Sequence, residues 1–185
     1  MDAFESLISM LLRHQGYWTT PCFKVELTRE DKQRIGRPSS PRWELDLIAY
    51  KGETNEVLMV ECKSFLDSRG VLFRNRAFEP LKTYKLFADT TLLDVVQNRL
   101  RQQLEKGGTC AKSPKIKLCL AIGKLASRTD VEGLTSHFEA RGWKLFGPDW
   151  VYDRLCAASE AGYENDVAFV VSKLLQRSKF PTASG

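Results

Sequence analysis

Two apolar stretches, each interrupted by a carboxylate and joined by a short polar connector, constrain this chain more than any other feature. They read Trp43-Glu44-Leu45-Asp46-Leu47-Ile48-Ala49-Tyr50 and Val57-Leu58-Met59-Val60-Glu61-Cys62-Lys63-Ser64, with Lys51-Gly52-Glu53-Thr54-Asn55-Glu56 between them. Gly and Asn in the connector suit a hairpin turn. With Tyr50 opposite Val57, antiparallel register sets Asp46 opposite Glu61 and Glu44 opposite Lys63. Side chains alternate faces along a strand, so Glu44, Asp46, Glu61 and Lys63 share one side. Leu45, Leu47 and Ala49 fill the other side of the first strand, and Leu58, Val60 and Cys62 that of the second. Ile48, Val57 and Met59 nevertheless flank the carboxylates. Strands apolar on both faces are covered on both faces, where a carboxylate is costly unless paired or bound to metal. Opposed carboxylates also repel. A divalent cation between them, with an ammonium beside it, removes that repulsion. The alternative is a solvated sheet face, and the apolar content of both strands argues against it.

The basic residues are distributed around this acidic pair. Net charge is +5 over 185 residues, the right sign for a polyanionic partner. Arg29, Lys32, Arg34, Arg37 and Arg42 precede the first strand, while Arg69, Arg74, Arg76, Lys82 and Lys85 follow the second. Arg37, Arg42, Arg69, Arg74, Arg76 and Lys82 are the candidates for phosphate contacts. For any one of them taken alone, a solvated loop position explains the residue equally well.

Hydrophobic residues make up 43% of the chain, enough for one core, and a single domain is expected over residues 1–180 with 181–185 a frayed tail. No apolar run approaches the ~20 residues of a membrane span. The opening Met1-Asp2-Ala3-Phe4-Glu5 has neither basic leader nor apolar stretch, so no secretory signal is expected. Five cysteines without a CxxC pair, beside two histidines, argue against a disulfide framework or zinc site and for a reducing cytoplasm.

Periodicity predicts a helix over 2–13 with Phe4, Leu7, Ile8, Leu11 and Leu12 inward, then a strand over 22–27. Residues 28–42 read as an irregular polar loop, and 65–90 carry no clear period. A helix is expected over 91–106, with Arg99 and Gln103 falling inside its apolar stripe. A buried-facing Arg or Gln needs a partner. That partner is either the acidic cluster or an ordinary structural hydrogen bond. A strand over 115–122, a helix capped by Asp130 and running to 140, and a strand over 143–146 suggest a parallel crossover. Helices over 147–159 and 163–176 follow, the last with Val167, Val170, Val171, Leu174 and Leu175 as its apolar side.

This order, with Asp46 in Glu-Leu-Asp-Leu-Ile-Ala and fourteen residues separating it from the triplet Glu61-Cys62-Lys63, resembles the PD-(D/E)XK nuclease superfamily. The local pattern is most similar to archaeal Holliday-junction resolvases and modification-dependent restriction endonucleases. Leu45 stands where many members carry Pro, and residues 123–180 match no motif of the family. The resemblance implies a restriction endonuclease-like α/β core: a central mixed sheet of about five strands, helices on both faces, and extra C-terminal helices. It implies a Mg²⁺-dependent DNA endonuclease, with Mn²⁺ as substitute ion, and a homodimer; a nuclease directed at RNA is a competing reading. Asp46 and Glu61 would hold the ion with the Cys62 carbonyl, and Glu5 from the first helix would reach it directly or through water. Glu5 serves equally well as a first-turn residue complementing the helix dipole. Lys63 would orient the attacking water or stabilise transition-state charge, with Glu44 as support. The alternative is a nuclease-like module that binds nucleic acid or protein without cutting.

Overall fold

Capping and strand alternation decide the first elements. Asp2 accepts a hydrogen bond from the Glu5 main chain, and the Glu5 carboxylate accepts one from Asp2, a reciprocal cap that starts α1 (Ala3–His14). β1 (Trp18–Glu26) follows, starting four residues before the strand expected at 22. Pro21 masks that early start in the sequence. It is tolerated because β1 is an edge strand, where a missing N–H faces no neighbour. The computed structural model describes residues 2–39, 42–160 and 165–177.

The segment expected to be an irregular loop contains a short helix, α2 (Arg29–Arg34), started by a second reciprocal cap between Thr28 and Asp31. β2 (Arg42–Lys51) and β3 (Glu56–Lys63) form the acidic hairpin. The unreadable stretch 65–90 resolves into β4 (Leu72–Arg74), β5 (Ala77–Glu79), a 3-10 turn over Leu81–Thr83 and α3 (Lys85–Ala88). Asn75 and Arg76 both have positive φ, 51° and 60°, as a two-residue hairpin turn of the primed type demands.

Then come α4 (Thr90–Lys106), β6 (Lys115–Ile122), α5 (Arg128–Glu139), β7 (Lys144–Phe146), α6 (Pro148–Glu160) and α7 (Val167–Arg177). Ser127, not Asp130, caps α5. Asp130 lies in its first turn, accepting from the Ser127 hydroxyl at 2.6 Å and from the Phe73 N–H at 3.2 Å. The residues 163–164 expected to open the last helix, and the tail 181–185, lie outside the described residues.

The sheet order is β1-β2-β3-β6-β7, antiparallel across β1, β2 and β3 and parallel across β3, β6 and β7. The chain is therefore α/β with a five-stranded mixed sheet. Leu45, Ile48, Val57, Met59, Leu118 and Leu120 pack with side chains of α3, α4 and α5 on one face. Leu47, Ala49, Leu58, Val60 and Ala121 pack with α1, α6 and α7 on the other. The expected apolar side of α7 faces water: Val167, Val170, Val171, Leu174 and Leu175 are all exposed, and the helix docks through Phe169. No described helix is long and apolar enough to cross a membrane.

Candidate active site

The β2–β3 ladder keeps the expected register from Lys51↔Glu56 to Leu47↔Val60 and stops one pair short of Asp46 and Glu61. The Asp46 carboxylate explains the stop. Its Oδ2 accepts the main-chain N–H of Cys62 at 2.7 Å, so a side chain takes the donor that strand pairing would have used. Across the sheet, β1 pairs Pro21 with Leu47 and Phe23 with Leu45, and Cys22 between them has φ 49°. Leu45 packs in the cluster of Ile48 while Leu47 packs in the opposite one, so strict alternation breaks at Asp46. The expectation that Leu45 and Leu47 share a face is thereby corrected. Glu44 is likewise not set against Lys63. It pairs with Lys24 of β1 and is exposed.

Asp46, Glu61 and Lys63 do come together. The Lys63 ammonium lies 3.4 Å from Asp46 Oδ2, 3.6 Å from Glu61 Oε2 and 3.0 Å from the Cys62 carbonyl. The three side chains are only 16–25% exposed. Burial, and next the Asp46 carboxylate, push the Glu61 carboxyl up to about 7, against a smaller downward pull from Lys63. Burial alone would depress Lys63, but the Glu61 and Asp46 charges outweigh it and its ammonium is held above the ordinary range. Burial pushes the Cys62 thiol far up, which leaves it an inert apolar group.

Glu5 takes the first-turn role at the start of α1. Its Oε2 accepts from the Asp2 N–H at 3.0 Å as a helix cap, and its charge is close enough to raise the proton affinity of Glu61. Arg99 and Gln103 do not look toward the cluster. Arg99 bonds Asp31, Thr28 and Gln102, tying α4 to α2. The Gln103 amide donates to the Lys24 carbonyl and accepts from the Glu26 N–H, both at 3.0 Å, clamping α4 to β1. Arg37 lies 5.0 Å over the Trp43 ring, and Arg42 is ion-paired to Glu26 at 2.8 Å. Arg69, Arg74, Arg76 and Lys82 are exposed.

Two supports escaped the sequence reading. Gly123 donates its N–H to the Lys63 carbonyl at 3.1 Å, and a Cβ there would stand 2.4 Å from the Ser64 carbonyl oxygen. Its only sequence signal was the end of a strand. Glu56, read as part of the connector, is buried and receives Tyr17 and Lys144 at 2.7 Å and Lys117 at 2.9 Å.

The donor chemistry fits a hard divalent ion. Two carboxylates and a main-chain carbonyl already converge on one cation, the Lys63 ammonium, and Mg²⁺ is held through one or two carboxylates with water and phosphate oxygens completing its shell. Among the described residues no three His, Cys, Asp or Glu side chains gather as a metal-ligand set, so any ion here relies on main-chain, water or substrate oxygens. No known protein family matches this chain, and no curated protein or solved structure is significantly similar to it.

Proposed function

We propose that the chain is a metal-dependent phosphodiester hydrolase, a DNA endonuclease built on a restriction endonuclease-like core of PD-(D/E)XK type. One observation carries the reading: Asp46, Glu61 and the Cys62 carbonyl converge on Lys63 where β2 and β3 part. The order α1, β1, β2, β3, α4, β6, taken apart from the inserted α2, β4, β5 and α3, supports the same reading of the core, with β6 parallel to β3.

Asp46, Glu61 and the Cys62 carbonyl would hold Mg²⁺, or Mn²⁺ in its place. The bound ion supplies charge neutralisation at the phosphate and a water of lowered pKa. The chain's own residues orient the reaction around it. Asp46 is fixed by the Cys62 N–H, so one of its oxygens is held in place before substrate arrives. Lys63 stays protonated at neutral pH because two carboxylates surround it, so it acts as a donor and not as a base. It hydrogen-bonds the attacking water and the phosphate oxygen on which charge develops. Exposed Arg69, Arg74, Arg76 and Lys82 add phosphate contacts that carry no base information.

Nicking of supercoiled plasmid in Mg²⁺ or Mn²⁺ tests this, with wild type beside Asp46→Ala, Glu61→Ala and Lys63→Ala. Wild type is expected to nick, and each variant to lose at least ~10²-fold in rate, as when one charge-stabilising group is removed. Equal cleavage by wild type and Lys63→Ala overturns the assignment. RNA substrates in the same assay decide between the two nucleic acids. A second reading, a silent nuclease-like module that binds nucleic acid or protein, draws on a different aspect of the cluster. A protonated Glu61 leaves Asp46 and Lys63 as a balanced pair without any ion. DNA binding that survives EDTA, with no cleavage in either metal, selects that reading.

A further inference from the structure

Between the β4–β5 hairpin and α5 lies a cavity of about 770 Å³, within the range of small-molecule sites. Phe73, Gly133 and His137 line it, with Arg74, Arg76 and Arg141 exposed around it. None of these three guanidinium groups is in an ion pair among the described residues. The one acidic residue lining the cavity, Asp130, is committed to Ser127 and to the Phe73 N–H. Arg141 donates to His137 Nδ1 at 3.0 Å and lies 5.3 Å over the Trp143 ring, so it is held in place at the cavity. Burial lowers the proton affinity of His137, and the Arg141 and Arg76 charges lower it further.

Gly133 is a second, independent observation. Glycine inside a helix costs ~1 kcal/mol relative to alanine. Packing does not demand it here, because a Cβ would stand an ordinary 3.6 Å from the Phe73 ring. What its missing side chain does is leave space open beside that ring. The cavity is also tied to the candidate active site. Val71, at the base of the hairpin, bridges to Leu125, donates to the Lys124 carbonyl at 3.0 Å and accepts from the Ala126 N–H at 3.1 Å. One residue earlier in that same exit from β6, Gly123 holds the Lys63 carbonyl.

We propose that this cavity is a nucleotide subsite, taking one phosphorylated nucleotide of the nucleic-acid strand beyond the cleaved bond. The guanidinium groups of Arg74, Arg76 and Arg141 take the phosphate, and the base lies against Phe73 and His137. The inference rests on the nuclease reading for the identity of the strand.

The test titrates the full chain in EDTA with thymidine 3′,5′-bisphosphate, followed by amide NMR shifts, and runs plasmid cleavage in Mg²⁺ beside it. Shifts are expected at Gly133, His137 and Arg76, with affinity falling about tenfold or more in Gly133→Leu and in Arg141→Ala. Gly133→Ala is expected to keep the wild-type spectrum and most of the affinity. If Gly133→Leu does not fold, Arg141→Gln carries the same expectation. Shifts that bypass these amides, or unchanged affinity in both Gly133→Leu and the Arg141 variant, overturn the subsite. Cleavage with no probe in the cavity removes the subsite and leaves the nuclease reading. A probe in the cavity without cleavage removes the nuclease reading and leaves a nucleotide-binding site.

Discussion

Glu56 begins and Glu61 nearly ends the same strand, yet their surroundings move their proton affinities in opposite directions. Burial and the Asp46 carboxylate raise Glu61 from 4.5 to about 7. A carboxyl whose folded pKa is the higher one adds stability that is complete below pH 4.5 and is lost as the pH climbs through about 7. In EDTA, wild type measured against Glu61→Gln is therefore expected to lose up to about 3 kcal/mol between pH 5 and 8. Urea unfolding across that window checks it, and a flat difference would count against the buried, crowded carboxylate described here. At Glu56, burial also raises proton affinity, but hydrogen bonds from Lys144, Lys117 and Tyr17 outweigh it and hold the carboxyl down to about 2. Its contribution is present above pH 4.5 and fades as the pH falls toward 2. Glu56→Gln leaves two ammonium groups without their shared partner, at a cost of about 2 kcal/mol at pH 7 after allowing for their solvent exposure. The difference between the two proteins is expected to narrow during acid titration, read from unfolding midpoints at stepped pH.

At the scale of elements, the hairpin register was legible because two apolar runs and a Gly- and Asn-containing connector leave few other pairings. Asp46, Glu61 and Lys63 were legible for the same reason: a charge inside an apolar strand stands out. What alternation could not foretell was the interruption at Asp46, since a carboxylate capturing the Cys62 N–H is a tertiary event with no period of its own. Arg99 and Gln103 illustrate the same limit. Their stripe position showed that they need partners, but α2 was hidden in a polar stretch whose only signal was the Thr28–Asp31 cap. Gln103→Ala is accordingly expected to cost about 1 kcal/mol through the lost β1 clamp, and to leave plasmid cleavage unchanged. Gly123→Ala belongs to the other class. With 2.4 Å between its new Cβ and the Ser64 carbonyl, the end of β3 must move. A loss of about 1–3 kcal/mol is expected, as for overpacking elsewhere, together with a drop in cleavage rate larger than any seen in Gln103→Ala. Unfolding and plasmid nicking measured on both proteins separate the two effects.

For the whole molecule, helix periodicity correctly gave α7 an apolar stripe but not the direction in which it faces. The periodic residues are exposed, Leu174 at 60%, while Phe169, off that stripe, is fully buried against α1. Its ring lies 4.4 Å from that of His14. Phe169 is the buried aromatic anchor of α7, beside the hydrogen bonds that Lys173 and Gln176 donate to the Ser159 and Cys156 carbonyls of α6. It shares a cluster with Val60 and Cys62, the strand segment flanking Glu61. Truncating it should separate two consequences that a stripe-based picture would merge. Phe169→Ala removes a fully buried ring and is expected to cost about 3–5 kcal/mol, whereas Leu174→Lys changes an exposed position and should stay within about 0.5 kcal/mol. Amide exchange localises the loss. In Phe169→Ala, protection should fall first in α7 and in the last turns of α1, with β3 losing protection only as the whole core opens. Equal sensitivity of the two positions would mean that the stripe, and not Phe169, holds the helix in place.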